Sequence, residues 1–117
     1  MQVPNTMHKN LRIVYITTGT KDEATSIGRK VIENNLAACV NIIPGMTSIY
    51  KWEGKLEESQ ETILIVKTHT SKMKDLTDLV KKHHSYDCPC VISLNLSEDE
   101  GNEEYLNWLL NASKGNS

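Results

Sequence analysis

Hydrophobic and polar positions follow two periods along the chain, and their order predicts the fold. A β-rich apolar run over Leu11–Thr18 predicts a buried strand. After it, apolar positions recur at helical spacing, between a Thr20–Glu23 capping signal and Asn34. The helix positions are Ala24, Ile27, Val31 and Ile32. A strand followed by an amphipathic helix is therefore the first predicted unit.

Two long β-rich runs come next and predict a hairpin. They extend from Leu36 to Thr68 and meet at Glu53-Gly54, where glycine supplies the positive φ that a tight turn needs. Pro44-Gly45 interrupts the first arm and predicts a bulge, because proline cannot donate to a β-ladder. The arms are too long for a small domain to cover, so they predict contacts between subunits.

The second half of the chain repeats the strand-helix pattern. Ser71 is the predicted N-cap of a second amphipathic helix that ends near His83, and Pro89 precedes a further strand. A short final helix is predicted to place Tyr105, Trp108 and Leu109 on one side. With right-handed crossovers, this order predicts an α+β, ferredoxin-like two-layer sandwich of βαββαβ order plus a C-terminal helix.

Length and composition limit the organisation of the chain. At 117 residues with 38% hydrophobic content, it has room for one modest core. We predict a single domain over residues 11–112, a disordered tail over 1–10 and a C-terminal tail over 113–117. The tail at 1–10 has no apolar secretory segment, and no run approaches the roughly 20 apolar residues of a membrane span. These features predict a cytoplasmic protein without membrane contact.

The charge and cysteine counts exclude further classes. The net charge is −2 with acidic and basic residues intermixed, which argues against nucleic-acid binding. Three cysteines make a disulfide framework unexpected. The sequence contains no Ser-His-Asp order and no phosphate-binding glycine loop, so catalysis is not predicted.

One cluster carries ligands for metal ions. His83, His84, Cys88 and Cys90 lie within eight positions, and imidazole and thiolate bind copper and zinc. The spacing of Cys88-Pro89-Cys90 is not that of a structural zinc site. The alternative interpretation is structural: the histidines end a helix, and Cys90 begins a buried strand.

Aromatic and basic side chains suggest further contacts. Tyr50 and Trp52 lie near the predicted hairpin tip, where a subunit contact is favoured over ligand stacking. Tyr86 is a further large aromatic residue. Lys67, at the end of the second arm, is either a solvated lysine or one that faces a cleft.

Several segments resemble one known family. They are Asp22-Glu23-Ala24, the run from Leu36 to Gly45, the run from Thr47 to Lys55, Lys67-Thr68, His84-Ser85-Tyr86 and the run from Tyr105 to Leu109. The chain resembles the CutA divalent-cation tolerance proteins over nearly all of residues 11–112. The resemblance implies a ferredoxin-like subunit in a tight homotrimer built by the long hairpins, similar in topology to the PII signalling trimers. It also implies a cytoplasmic role in tolerance of divalent metals, copper above all.

The resemblance also implies a copper site. Bacterial relatives associate copper with a cysteine, a histidine and a glutamate, at positions that correspond to Thr18, His83 and Cys90. Only the histidine is retained. Cys88 beside Cys90 offers a thiol pair of softer ligands, which are better suited to Cu(I). The expected cofactor is copper, as Cu(I) or Cu(II), or another divalent metal ion.

Two functions remain open at this point. The first is a non-enzymatic homotrimer that binds metal near subunit clefts, with His83 as the principal ligand, Cys88 and Cys90 as thiolates, and Tyr86 and Lys67 as cleft lining. The second is a PII-like structural or signalling trimer that takes a small anionic metabolite or a partner protein. RNA binding is disfavoured because the central run Ile63–Val66 is aliphatic and offers no stacking aromatics.

Overall fold

A four-stranded antiparallel sheet with two helices on one face forms the body of the protein. The computed structural model describes residues 6–114. Its strands are β1 (Leu11–Thr18), β2 (Cys39–Trp52), β3 (Lys55–His69) and β4 (Val91–Asn95). Its helices are α1 (Lys21–Glu33), α2 (Met73–His83) and α3 (Glu103–Ser113), with short 3-10 turns at Thr6–Asn10 and Thr70–Lys72. The strand order β2-β3-β1-β4 confirms the predicted α+β, ferredoxin-like sandwich.

The core lies between the sheet and the first two helices. Alternate residues of β1 and β3 are fully buried on this side, as are the apolar faces of α1 and α2. The main core residues are Val14, Ile16, Leu64, Val66, Ala24, Ile27, Val31, Leu76 and Val80. A Cβ added at Gly28 would lie 3.2 Å from Val40 and 3.4 Å from Leu64. Glycine at this position therefore lets α1 approach the sheet closely.

The long hairpin projects beyond this core. Both turn residues have positive φ (51° at Glu53 and 79° at Gly54), which is the geometry of a type I′ turn. The register shifts by one residue between Ile43 and Met46, which confirms the bulge predicted at Pro44-Gly45. The protein is 58 Å long but only 22 Å thick, and its radius of gyration is 15.7 Å. A compact domain of this length would have a radius of gyration of about 13 Å.

The sheet face opposite α1 and α2 is rich in apolar side chains. The strand register places Ile13 and Tyr15 of β1 beside Leu94 and Ile92 of β4 on this open face. Ile43 pairs with Ile63 on the same face. Ile43, Ile92 and Leu94 remain about half exposed, at 47%, 51% and 50%. The sheet thus leaves an apolar surface next to the hairpin.

The prediction of a disordered N-terminal tail is wrong over Thr6–Asn10, because these residues form a 3-10 turn. His8 is only 3% exposed, and its Nε2 lies 2.8 Å from Oδ1 of Asn107 in α3. At the other end, Ser113 is fully buried and still helical, so the predicted tail over 113–117 begins too early. The remainder of both predicted tails, residues 1–5 and 115–117, lies outside the described residues.

Two helix predictions also differ from the structure. Ser71 does not cap α2, because a 3-10 turn precedes that helix and the Ser71 N–H donates to Nδ1 of His69. Tyr105, Trp108 and Leu109 do not share one environment, because Tyr105 and Trp108 are 41% and 48% exposed, with ring centroids 5.6 Å apart, whereas Leu109 is 1% exposed. The buried side of α3 is formed by Leu109, Leu110 and Ser113 instead.

Candidate functional site

The loop after α2 is fixed to the start of α1 by one carboxylate. Glu23 is the third residue of α1, and its N–H donates to the Thr20 hydroxyl at 3.1 Å, as in a capping box. Its side chain, however, does not return to Thr20. Oε1 accepts from Gly19 N–H at 3.1 Å, and Oε2 accepts from Ser85 N–H at 2.8 Å. Glu23 therefore joins the helix start to the loop that begins at His84.

Partial burial raises the pKa of Glu23, but other interactions outweigh this effect. The hydroxyl of Ser85, the backbone N–H groups of Gly19 and Ser85, and His84 all favour the carboxylate, so the pKa is lowered below 4.5. Glu23 is thus ionised whenever the protein is near neutral pH, and the loop stays connected to α1.

His84 uses both ring nitrogens inside the protein. It is only 9% exposed; its Nδ1 accepts from Tyr86 N–H at 3.0 Å, and its Nε2 lies 2.8 Å from the carbonyl oxygen of Thr17. Because Nδ1 is the acceptor, the proton is on Nε2, which donates to that carbonyl. Neither nitrogen has a lone pair left for a metal ion while these bonds persist. His84 positions the backbone of Tyr86 instead.

Tyr86 extends from this loop to the second arm of the hairpin. Its hydroxyl donates to Oε2 of Glu61 at 3.0 Å, and its ring centroid lies 4.7 Å from that of His84. Burial, followed by the hydrogen bond and charge of Glu61, raises the pKa of Tyr86 to about 12. The phenol is therefore a neutral hydrogen-bond donor at physiological pH.

Tyr86 and Glu61 form part of a cleft of about 740 Å³ on the open side of the sheet. The remaining walls come from the end of β1, both arms of the hairpin and the segment before β4. The complete lining is Thr17, Tyr50, Trp52, Glu57, Glu61, Tyr86, Asp87, Cys88 and Cys90. Three of these side chains are carboxylic acids, three are large aromatics, and none is lysine, arginine or histidine. The lining therefore favours a cation over an anion.

The two thiols of the cleft differ in their surroundings. Cys88 is exposed, whereas Cys90 is half-buried. Burial, together with the charge of Glu61, raises the pKa of Cys90 against the opposing effect of a hydrogen bond with Thr17. Cys90 is thus a neutral thiol at physiological pH.

The structure separates the residues that the sequence suggested as one site. The cleft brings together Cys88, Cys90, Tyr86, Tyr50 and Trp52. Thr18, His83 and Lys67 do not line the cleft. His84 does not line it either, but it accepts a hydrogen bond from the backbone N–H of Tyr86, which does.

Each of these three residues has another environment. Thr18 is fully buried, and its hydroxyl lies 3.0 Å from the carbonyl oxygen of Thr20 and 3.2 Å from that of Thr62. His83 is exposed at the last residue of α2. Lys67 donates to the Tyr105 hydroxyl at 3.2 Å, so it does not line this cleft. Within residues 6–114, no three His, Cys, Asp or Glu side chains converge as a metal site.

Sequence reasoning missed the acidic residues of the cleft. Glu57 and Glu61 belong to no motif in the sequence, and Glu23 is predicted only as part of the capping signal with Thr20. The missing signal is the hairpin register, which pairs Glu57 with Tyr50 and Glu61 with Met46. Counted back from the Glu53-Gly54 turn, this register puts Glu57 on the same face as both hairpin aromatics.

Comparison with known proteins identifies the family. The family model described as CutA1 divalent ion tolerance protein matches residues 12–112. The chain belongs to the CutA1 family. The divalent-cation tolerance protein CutA of Thermus thermophilus is 45% identical over 97 residues, which cover 83% of this chain and 92% of that protein. The crystal structure of CutA1 from Oryza sativa superposes with a TM-score of 0.82 at 43% identity, covering 88% of this chain and 93% of that one.

CutA proteins also occur as longer chains. The chloroplastic CutA protein of Arabidopsis thaliana is 39% identical over 102 residues, which cover 87% of this chain but 55% of the relative. This chain therefore spans about half the length of that CutA protein and most of the Thermus one. Among residues 6–114, no helix has the length and apolarity that crossing a bilayer requires.

Proposed function

We propose that this CutA1 chain is a non-enzymatic homotrimer that supports tolerance of divalent metal ions, copper above all. The observation that carries the proposal is the apolar open face of the sheet. Ile43, Ile92 and Leu94 are each about half exposed. A neighbouring subunit packed on this face would cover the exposed part of these side chains. Burial of such surface is favourable by about 25 cal/mol per Å².

The projecting hairpin supports the same assembly. Ile49 and Leu56 are 64% and 73% exposed on one side of the ribbon, while Trp52 is 64% exposed on the other. A single protomer leaves both sides of the ribbon in water, which makes a long apolar ribbon prone to aggregation. Subunits arranged around a threefold axis would cover it. Tyr50 and Trp52 then belong to the interface and border a cleft that the neighbouring subunit completes.

The metal role is supported by the chemistry of the cleft and of its surroundings. Cys88 and Cys90 offer thiols, and three carboxylates give the cleft a negative charge. His83 is exposed and lies a few residues before Cys88 in the sequence. Soft thiol ligands favour Cu(I), and imidazole suits Cu(II) and Zn(II). Since no three donors of the described protomer converge, the proposed site takes donors from two subunits.

Neutral side chains support a non-enzymatic role. The raised pKa values of Cys90 and Tyr86 keep both groups protonated, so neither is an activated nucleophile or base. An anionic metabolite, the ligand of the alternative signalling role, is disfavoured in this cleft by Glu57, Glu61 and Asp87. A cytoplasmic location is part of the proposal, and the free thiols of Cys39, Cys88 and Cys90 suit a reducing compartment.

Sedimentation equilibrium of the full chain tests the assembly. We expect a trimer at micromolar concentration, and we expect Ile92→Lys to shift it towards monomer because a buried unpaired charge is costly. Ile32→Lys is the matched control, since Ile32 is 38% exposed but lies on α1. A folded wild-type monomer would overturn the proposal, as would equal dissociation of both variants.

Calorimetric titration with Cu(I), Cu(II) and Zn(II) tests the metal role separately. We expect the Cys88→Ser/Cys90→Ser variant to lose affinity for Cu(I) and His83→Ala to lose affinity for Cu(II). Metal binding that neither variant changes would remove these residues from the proposal.

A further inference from the structure

The end of β3 farthest from the hairpin turn carries a histidine that the proposed function does not use. His69 is the last residue of β3 and pairs with Leu11 at the start of β1. Its side chain is the N-cap of the 3-10 turn that leads into α2. Nδ1 accepts from the N–H of Ser71 at 3.1 Å and lies 2.8 Å from the hydroxyl oxygen of the same residue. A lone pair of the imidazole therefore holds this turn in place.

The other ring nitrogen of His69 is enclosed by the protein. Because Nδ1 is the acceptor, the proton of the neutral ring is on Nε2. Nε2 is buried, and within residues 6–114 no group forms a hydrogen bond with it. The protomer itself encloses this atom, so a neighbouring subunit can deepen the burial but does not reach Nε2 to provide an acceptor.

Positively charged side chains from three elements surround the same ring. They are Arg12 of β1, Lys72 of the 3-10 turn and Lys114 at the C-terminal cap of α3. The Arg12 guanidinium donates to the carbonyl oxygens of Lys9 and Leu11, at 2.6 and 2.8 Å, which fixes its position. In the part of the chain that the structure describes, no carboxylate forms an ion pair with any of the three cations. The ring thus lies in a positive environment.

Protonation of His69 is unfavourable in this environment. It would create a cation whose buried N–H has no acceptor, next to three other cations. Burial, followed by the charges of Lys114, Arg12 and Lys72, lowers the pKa of His69 below 6.5. The ring is therefore neutral at pH 7. Its contribution to stability is present above the ordinary pKa and is lost as the pH falls through the lowered one.

We propose that His69 is a proton-controlled latch at the junction of β3 and α2. The neutral ring accepts from the N–H of Ser71 and holds the 3-10 turn. The protonated ring carries a proton on Nδ1, so it cannot accept this bond, and its charge repels Lys72 and Lys114. Acid therefore releases the 3-10 turn and the last turn of α3 before the core of the sandwich unfolds. None of these residues lines the cleft, so the latch requires neither a bound metal ion nor a particular assembly.

An NMR titration of the isotopically labelled full chain in metal-free buffer, from pH 8 to pH 4.5, tests the latch. The ring proton shifts give the pKa of His69, and the scalar coupling between the Ser71 nitrogen and Nδ1 of His69 reports the hydrogen bond directly. We expect this coupling at pH 8 and its loss with the same midpoint as the ring, below 6.5. After correction for the intrinsic pH dependence, amide protection of Ser71 and Lys114 should fall about fivefold over this range.

Two results of this titration would overturn the proposal. The first is a coupling that persists after the ring of His69 has been protonated. The second is a midpoint for His69 at or above 6.5, because the surrounding cations would then not act on the ring.

The variant His69→Asn separates the proton from the hydrogen bond. Asparagine is a favourable N-cap whose Oδ1 accepts from a backbone N–H, but it does not titrate. We expect the variant to retain the amide protection of Ser71 and Lys114 down to pH 4.5. Loss of protection with the wild-type midpoint would identify another group as the sensor and would contradict the assignment to His69.

A pair of lysine variants tests the cations around the ring. Lys72→Gln removes one of them and should raise the pKa of His69 towards its ordinary value, so that the coupling is lost at a higher pH. Lys82→Gln is the matched control, since Lys82 is exposed near the other end of α2 and its replacement removes the same charge. Its midpoint should equal that of the wild type. Equal shifts in both variants would indicate only the net charge of the protein and would overturn the local environment on which the latch depends.

Discussion

The hydroxyl of Tyr86 donates a 3.0 Å hydrogen bond to the carboxylate of Glu61. Glu61 pairs with Met46, the residue at which the register resumes after the β2 bulge. The bulge thereby fixes the strand position that meets the loop after α2. This hydrogen bond connects the projecting hairpin to the loop after α2, whose backbone is bound by His84 and Glu23.

Replacement of Tyr86 by phenylalanine should remove this connection and keep the ring. We expect a loss of about 0.5–1 kcal/mol in the free energy of unfolding at pH 7, the usual value of a partly exposed hydrogen bond. Urea unfolding of both proteins measures the difference.

Alkaline titration of Tyr86→Phe tests whether Tyr86 is the tyrosine with the raised pKa. The folded pKa of Tyr86 is raised to about 12 from an ordinary value of 10.0. Its contribution to stability is therefore complete below pH 10 and is lost as the pH rises towards 12. Phenolate absorbance of Tyr86→Phe should lack the component that titrates near pH 12. Loss of a component near pH 10 instead would contradict the hydrogen bond from Tyr86 to Glu61.

Replacement of Glu23 by glutamine should weaken the connection between α1 and the loop at His84. The hydrogen bonds with Gly19 and Ser85 are charge-assisted, so we expect a loss of about 1 kcal/mol at pH 7. Because the folded pKa is lowered below 4.5, the contribution is present above that pH and is lost as the pH falls through the folded pKa. The stability difference between wild type and variant should therefore shrink in acid.

Denaturant unfolding of Glu23→Gln from pH 7 to pH 3 measures this convergence. Glu33→Gln, an exposed change at the opposite end of α1, is the control and should run parallel to the wild type. A constant gap between Glu23→Gln and the wild type across the acid range would show that charge is not what holds the loop.

The hairpin turn allows a test of backbone strain. Gly54 has φ of 79°, and nothing lies within 4 Å of a Cβ added there, so Gly54→Ala introduces backbone strain without a clash. We expect it to cost about 1 kcal/mol. Glu53 also has positive φ, at 51°, and Glu53→Asn should be neutral or slightly stabilising because asparagine tolerates this region. Thermal unfolding of the two variants should shift in these different directions, and a neutral Gly54→Ala would contradict the type I′ turn.

Local signals were sufficient to predict most of the fold. Apolar periodicity predicted the element order, Gly54 the hairpin turn, Pro44-Gly45 the bulge and Thr20 the first helix cap. Each of these features depends on residues close together in the sequence. The predictions that failed depend on contacts between distant parts of the chain. His8 lies against Asn107, and nothing in the polar segment around His8 indicates that burial.

The candidate site was predictable only in part, for the same reason. Cys88 and Cys90 were found from their residue types, and Tyr86 from the family resemblance. The acidic lining depends on strand register, and the exclusion of His84 depends on its bond to Thr17, which is 67 positions away. Residue type alone made His83 and His84 equivalent, whereas tertiary structure separates them.

Replacement of each of the two adjacent histidines by alanine should therefore affect a different property. His84→Ala removes the acceptor of Tyr86 N–H and the donor to Thr17, so we expect a loss of about 1–3 kcal/mol in the free energy of unfolding. His83 is exposed at the end of α2, and the structure records no hydrogen bond, ion pair or ring contact for it. His83→Ala should change stability by less than about 0.5 kcal/mol but reduce Cu(II) affinity, as proposed above.

Urea unfolding and calorimetric titration of both variants measure the two effects, with His84→Ala titrated at a temperature where it is fully folded. A folded His84→Ala protein that loses Cu(II) affinity while His83→Ala retains it would reverse the assignment and make His84 the ligand.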